Sequence, residues 1–180
     1  MSLFHIFASE TILYIYKMKS RVELSSYCFI ISSIGIAVMC GAFLFGLKRH
    51  AADWTVWLLA AMILTLCLSA LIYMPLSLSV DDKALTVRRP LWHKSIPLAE
   101  IASVRLFQPT MGERRIIGSG GWFGYYGRFS DREIGKYFAF YGKASDCFLV
   151  TLNDGRQYVL GCKNPGAMVE AISSRLHKDR

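Results

Sequence analysis

Two uninterrupted apolar runs constrain this 180-residue chain more than any other feature. No charged side chain occurs from Leu24 to Leu47, and none from Trp54 to Val80. A helix needs about 20 residues to cross a hydrocarbon core of about 30 Å, and each run exceeds that. The alternative is a pair of core helices in a soluble protein, which needs a partner layer on every side. The remaining hundred or so residues are too few and too strand-like to provide one. The expectation is a two-helix transmembrane hairpin over 24–75, with spans at about 24–47 and 54–75. An N-terminal segment, 1–23, precedes it and a folded domain, 76–180, follows. Composition agrees, with 53% hydrophobic and only 19% charged residues, where soluble chains carry about 25% charge.

Sidedness follows from the basic flanks, since Lys and Arg are retained on the cytoplasmic face. Lys17, Lys19 and Arg21 precede the first run, and Lys83, Arg88, Arg89 and Lys94 follow the second, against Lys48 and Arg49 in the short link. Both termini and the domain are therefore expected in the cytoplasm. A cleaved leader does not fit, because the first run comes late and Met39 stands before Cys40 where a lipoprotein site needs a small residue. Residues 1–17 are apolar but too short to span, which suits an interfacial helix; equally, Met18-Lys19-Ser20-Arg21 reads as a plausible start. Cys28, Cys40 and Cys67 fall inside the runs as small apolar residues. Cys147 and Cys162 have neither disulfide-framework nor metal-ligand spacing.

Past Pro75 the period changes from helical to alternating. Leu76, Leu78 and Val80 lead through an Asp81-Asp82-Lys83 turn into Leu85, Val87 and Arg89. Ile96 to Leu98, Glu100 to Phe107 and Ile134 to Phe140 read as further strands. Phe148 to Leu152 and Gln157 to Leu160, joined at Asn153-Asp154-Gly155, form the clearest hairpin. The end is helical, with Asn164 as cap, Pro165 at the first position, and Val169, Ile172 and Leu176 on one face. About seven strands and a terminal helix describe an antiparallel sandwich or partly open barrel capped by that helix.

The residues Ile96-Pro97-Leu98-Ala99-Glu100-Ile101, the run Gly118-Ser119-Gly120-Gly121-Trp122-Phe123-Gly124, the Gly135-Lys136-Tyr137 strand and the Asn164-Pro165 helix resemble the bacterial pleckstrin-homology-like (PH-like) domain proteins over roughly 75–178. The resemblance implies a PH-like fold beside the bacterial cytoplasmic membrane, often behind paired transmembrane helices. It implies no catalytic residues. Phosphoinositide recognition does not carry over, because the first-hairpin turn is Asp81-Asp82-Lys83, whose two carboxylates would repel a headgroup phosphate.

The glycine-rich stretch from Arg114 to Gly142 invites a phosphate-loop reading that its spacing refuses. No Walker sequence occurs, and Phe123 stands where a dinucleotide fingerprint needs its third glycine. Ser119 is no nucleophile elbow, since residue 117 is isoleucine, and the histidines read as solvated. No acid, base, nucleophile and metal set converges, so neither an enzyme nor a cofactor is expected. Two readings of the stretch stand. Its glycines permit positive φ and close crossing while the aromatics pack on a sheet edge; or it is an exposed loop in which Arg114, Arg115, Trp122, Phe123, Tyr125, Tyr126, Arg128 and Arg132 meet a protein partner or the headgroup layer. From residue 81 onward sixteen Lys and Arg face ten Asp and Glu, which suits anionic lipid. Nucleic acid is disfavoured, because a tethered domain without a recognition motif has little access to it. Ser32, Ser33, Gly35, Ala37, Gly41 and Ala42 offer small contact residues for a second copy of the chain.

Overall fold

The computed structural model describes residues 18–50, 53–110 and 113–178; the interfacial helix expected within 1–17 lies outside them. A short strand, β1 (Met18–Arg21), comes first. Two helices follow, α1 (Ser26–His50) and α2 (Trp54–Tyr73). Next come β2 (Ser77–Val80), β3 (Ala84–Arg88), β4 (His93–Pro97), a 3₁₀ turn at Leu98–Glu100, and β5 (Ile101–Leu106). The chain continues through β6 (Arg114–Gly121), β7 (Gly124–Asp131), β8 (Gly135–Tyr141), a second 3₁₀ turn at Ala144–Asp146, β9 (Cys147–Leu152), β10 (Gln157–Gly161) and the terminal helix α3 (Pro165–Lys178).

The strands form two sheets, one ordered β1-β2-β3-β4 and the other β5-β9-β10-β8-β7-β6. All pairings are antiparallel except β8 with β10. The expected set of about seven strands is thus exceeded. The glycine-rich excursion is itself a hairpin, β6–β7, and β1 joins its sheet from in front of the helices. The sequence hides both. Met18–Arg21 has two cations and no apolar alternation, while β6 is mostly exposed and glycine-rich, against the usual strand composition.

The facing surfaces of the sheets enclose one core, with Leu78, Leu85 and Val87 on one side and Phe148, Val150 and Leu160 on the other. Helix α3 plugs it with Met168 and Ile172, both fully buried, and each such side chain contributes about 1.5–3 kcal/mol. The outer face of the larger sheet carries a second cluster, including Phe129, Tyr137, Tyr141 and Leu149. Burial on both faces explains why β9 and β10 read as nearly continuous apolar runs.

Helices α1 and α2 contact each other, and a Cβ added at Gly46 would lie 3.1 Å from Val56 Cγ2. Their remaining surface is apolar and uncovered: Phe29, Val38, Trp57 and Leu64 are each more than half exposed. Among the described residues one helix, over Ser26–Arg49, is long and apolar enough to cross a membrane, and the apolar stretch Trp54–Ala70 is shorter. As the sequence suggests, α2 stops just before Pro75: its last turn closes with Met74 N–H donating to Ala70 O at 2.9 Å.

Candidate functional site

The β6–β7 hairpin turns at Trp122-Phe123, with Gly121 opposite Gly124. Ser119 holds the turn, its hydroxyl accepting from Trp122 N–H and donating to Trp122 O, both at 3.0 Å. That engagement ties the hydroxyl to the turn. Phe123 adopts a φ of 53°, a conformation uncommon for a bulky side chain. Further down the hairpin Gly118 and Gly127 face each other so closely that a Cβ on Gly118 would lie 2.1 Å from Tyr126 O, and one on Gly127 2.3 Å from Ile117 O. No other residue fits there.

The tip does not fold back over its own sheet. It runs against α1. The Trp122 ring covers Gly35, where a Cβ would lie 2.6 Å from the indole. Ser32 Oγ accepts from Phe123 N–H at 2.9 Å and donates to Gly121 O at 3.4 Å. Backbone groups of the turn are thereby satisfied by a hydroxyl of the uncharged helix α1. The small residues Ser32 and Gly35, read as material for a second copy of the chain, are occupied by the chain's own hairpin.

Between α2 and the β6–β7–β8 surface lies a groove of about 700 Å³. Its interior is apolar, formed by Leu66, Ile117, Phe138 and Phe140, and Tyr73 stacks on Tyr126 with ring centroids 5.9 Å apart. Arg115 and Arg128 supply its charge, Arg128 lying over the Phe138 ring at 5.0 Å. Of the sequence-derived residues, Arg115, Trp122, Tyr126 and Arg128 meet at this groove, and Phe123 sits at the tip. Tyr125 points the other way, stacked on Tyr141 at 4.7 Å. Arg114 pairs with Ser130 at the far end of the hairpin. Arg132 lies in the β7–β8 turn, about 25 Å of strand from the tip. Sequence reasoning missed Leu66, Tyr73, Phe138 and Phe140 because an apolar helix and an alternating strand give no sign of facing one another.

On the opposite face Glu113 accepts from Tyr137 and Tyr141, the latter at 3.0 Å. Burial first, and the carboxylate beside them, push both phenols well above their ordinary range. Burial likewise raises the Cys147 and Cys162 thiols, which leaves little thiolate for nucleophilic chemistry. Among the described residues no group of three or more His, Cys, Asp and Glu could hold a metal ion.

Two packed sheets closed by a C-terminal helix are the architecture of a PH-like domain. The bacterial PH domain family model matches residues 76–176, more than half of the chain. The chain belongs to that family. Comparisons with curated proteins and with solved structures find no match.

Proposed function

We propose that the chain is a membrane-anchored interaction or scaffold module without catalysis of its own, in which both helices cross the bacterial cytoplasmic membrane and the PH-like domain, 76–180 joined by β1, stands at the cytoplasmic face. The pairing of β1 with β2 carries this reading. Met18 lies opposite Val80 and Arg21 opposite Ser77, so the segments before α1 and after α2 share one side. A single crossing is incompatible with that sheet, and α1 is long enough to cross. At about 1.5 Å per residue, the 20 residues of α2 give the return path of about 30 Å. The exposed apolar side chains of both helices find their solvent in lipid, and the basic flanks set the orientation. The groove beside α2, with the β6–β7 hairpin as one wall, is the docking surface for a protein partner or another copy of the chain.

Two measurements test this. Cysteine labelling of intact cells should reach Asp53→Cys from outside and Asp154→Cys only after lysis; the same accessibility for both sinks the two-span arrangement. Crosslinking in native membranes from Arg115 and Arg128 should capture a protein, and the absence of any product under several conditions sinks the scaffold role.

The apolar interior of the groove beside Arg115 and Arg128 favours a second reading, a sensor that takes an anionic amphiphile there. Arg115→Ala with Arg128→Ala should then abolish retention of a co-purified amphiphile while leaving partner crosslinking from other positions intact.

A further inference from the structure

Away from the groove, the four-stranded sheet gathers cations on its outer surface. Cross-strand pairing sets Arg21, Ser77, Arg88 and His93 in one row. Lys19, two residues along β1, faces the same way, while Leu78 and Val87 face the core. These residues and Arg89 line a cleft of about 620 Å³ with buried Ser77 in its floor and no carboxylate in its lining. Elsewhere in the described domain Arg105, Lys143, Arg156, Lys163 and Arg175 each pair with an acidic side chain. Among the described residues none of the cleft cations has such a pair.

Lys19, Arg21 and Arg88 converge beside His93 without counter-charge and repel one another, while the Arg89 guanidinium turns away over the Tyr73 and Phe140 rings, 6.0 and 5.6 Å from their centroids; the cleft becomes favourable when an anion enters. The position specifies which anion. Leu76, on the cleft wall, is three residues beyond the end of α2 at Tyr73, a reach of about 10 Å and about one Debye length. Beside it the β3–β4 turn, closed by Arg89 N–H donating to Trp92 O at 2.9 Å, presents Leu91 and Trp92 with 61% and 66% of their surface exposed. Apolar and indole side chains flanked by arginine suit the bilayer boundary.

We propose that this cleft binds the phosphate of an anionic phospholipid of the leaflet that the domain faces, with Leu91 and Trp92 dipping between headgroups. The site lies at the opposite end of β3 from the Asp81-Asp82-Lys83 turn and is separate from the groove. It rests on the membrane-anchored reading above. Lys19 and Arg21 precede the helices and Arg88 follows them, so the site exists only once β1 has paired.

Native mass spectrometry of the full chain in neutral detergent, titrated with phosphatidylglycerol or phosphatidylcholine, tests the site. Phosphatidylglycerol should bind at least about tenfold more tightly, and Arg21→Gln with Arg88→Gln should weaken it by on the order of 30-fold. Arg105→Gln with Arg156→Gln removes the same charge elsewhere and should change it less than about twofold. If the first pair lowers the melting temperature, Lys19→Gln with His93→Gln replaces it. Equal binding of the two lipids, equal loss in the control pair, or displacement by millimolar inorganic phosphate or by an acidic peptide overturns the proposal. Alkaline extraction of native membranes separates the two levels: protein released to the soluble fraction sinks the membrane reading itself, whereas protein retained without preference for phosphatidylglycerol sinks only this site.

Discussion

At Gly118 the backbone has a φ of 130° and the opposing carbonyl leaves no space for a methyl group. Gly118→Ala should therefore cost about 2 kcal/mol or more, read as a fall in the melting temperature of the detergent-solubilised protein; a neutral result would refute the close crossing. Ser32 offers a subtler test. Its hydroxyl accepts from Phe123 N–H, so Ser32→Ala leaves a donor without its acceptor at a cost of about 1–3 kcal/mol. The Phe123 amide should exchange with deuterium about tenfold faster or more while core amides of β9 are unchanged. Gly35→Val should expel the Trp122 ring and produce the same local exchange. That the glycines permit positive φ and close crossing was one of two readings the sequence left open, and the positive φ at Gly118 and Gly127 supports it; the hairpin itself was not legible. Nor were its receptors. Ser32 and Gly35 lie about ninety positions earlier in an apolar helix, where small residues serve a second helix as readily as a hairpin tip.

Single elements follow the same division. The β9–β10 hairpin was legible because its turn residues and apolar runs agree, and α3 because Pro165, Ile172 and Leu176 fall where a helix start and face require them. Ile172→Ala, at a fully buried site, should destabilise by about 2–5 kcal/mol in thermal melts. The six-stranded sheet makes a further prediction through Glu113. Tyr137 and Tyr141 have phenol pKa values raised above the ordinary 10.0 by burial and by that carboxylate. A raised folded value means that the unfolded chain loses protons first, so their contribution is complete below about pH 10 and falls as pH climbs beyond it. Alkaline melts should show that decline, and Tyr137→Phe with Tyr141→Phe should flatten it. Neither phenol could be singled out beforehand, since the alternation of β8 marks faces without saying what covers them.

For the whole molecule, the class of fold and the two apolar helices were legible because apolar run length and strand periodicity act over short distances. The sheet that spans the helices was not, since its pairing joins residues about sixty apart across them. Ser20→Pro should break β1, because proline cannot complete the strand ladder. It should lower stability and loosen Lys19 and Arg21 from the cleft together, measurable as parallel losses in melting temperature and phosphatidylglycerol binding. A variant that loses neither would show that β1 is dispensable.

The placement of that strand also sets an order of events. During synthesis Met18–Arg21 emerges first, yet its partner Ser77–Val80 appears only after both helices have been made. The edge strand β1 therefore cannot pair before the helix pair is complete. Under the proposed two-span arrangement, a chain whose second helix fails to return would keep two strand edges on opposite sides of the membrane, exposed and recognisable as unfinished, so the fold would carry its own signal of incorrect insertion.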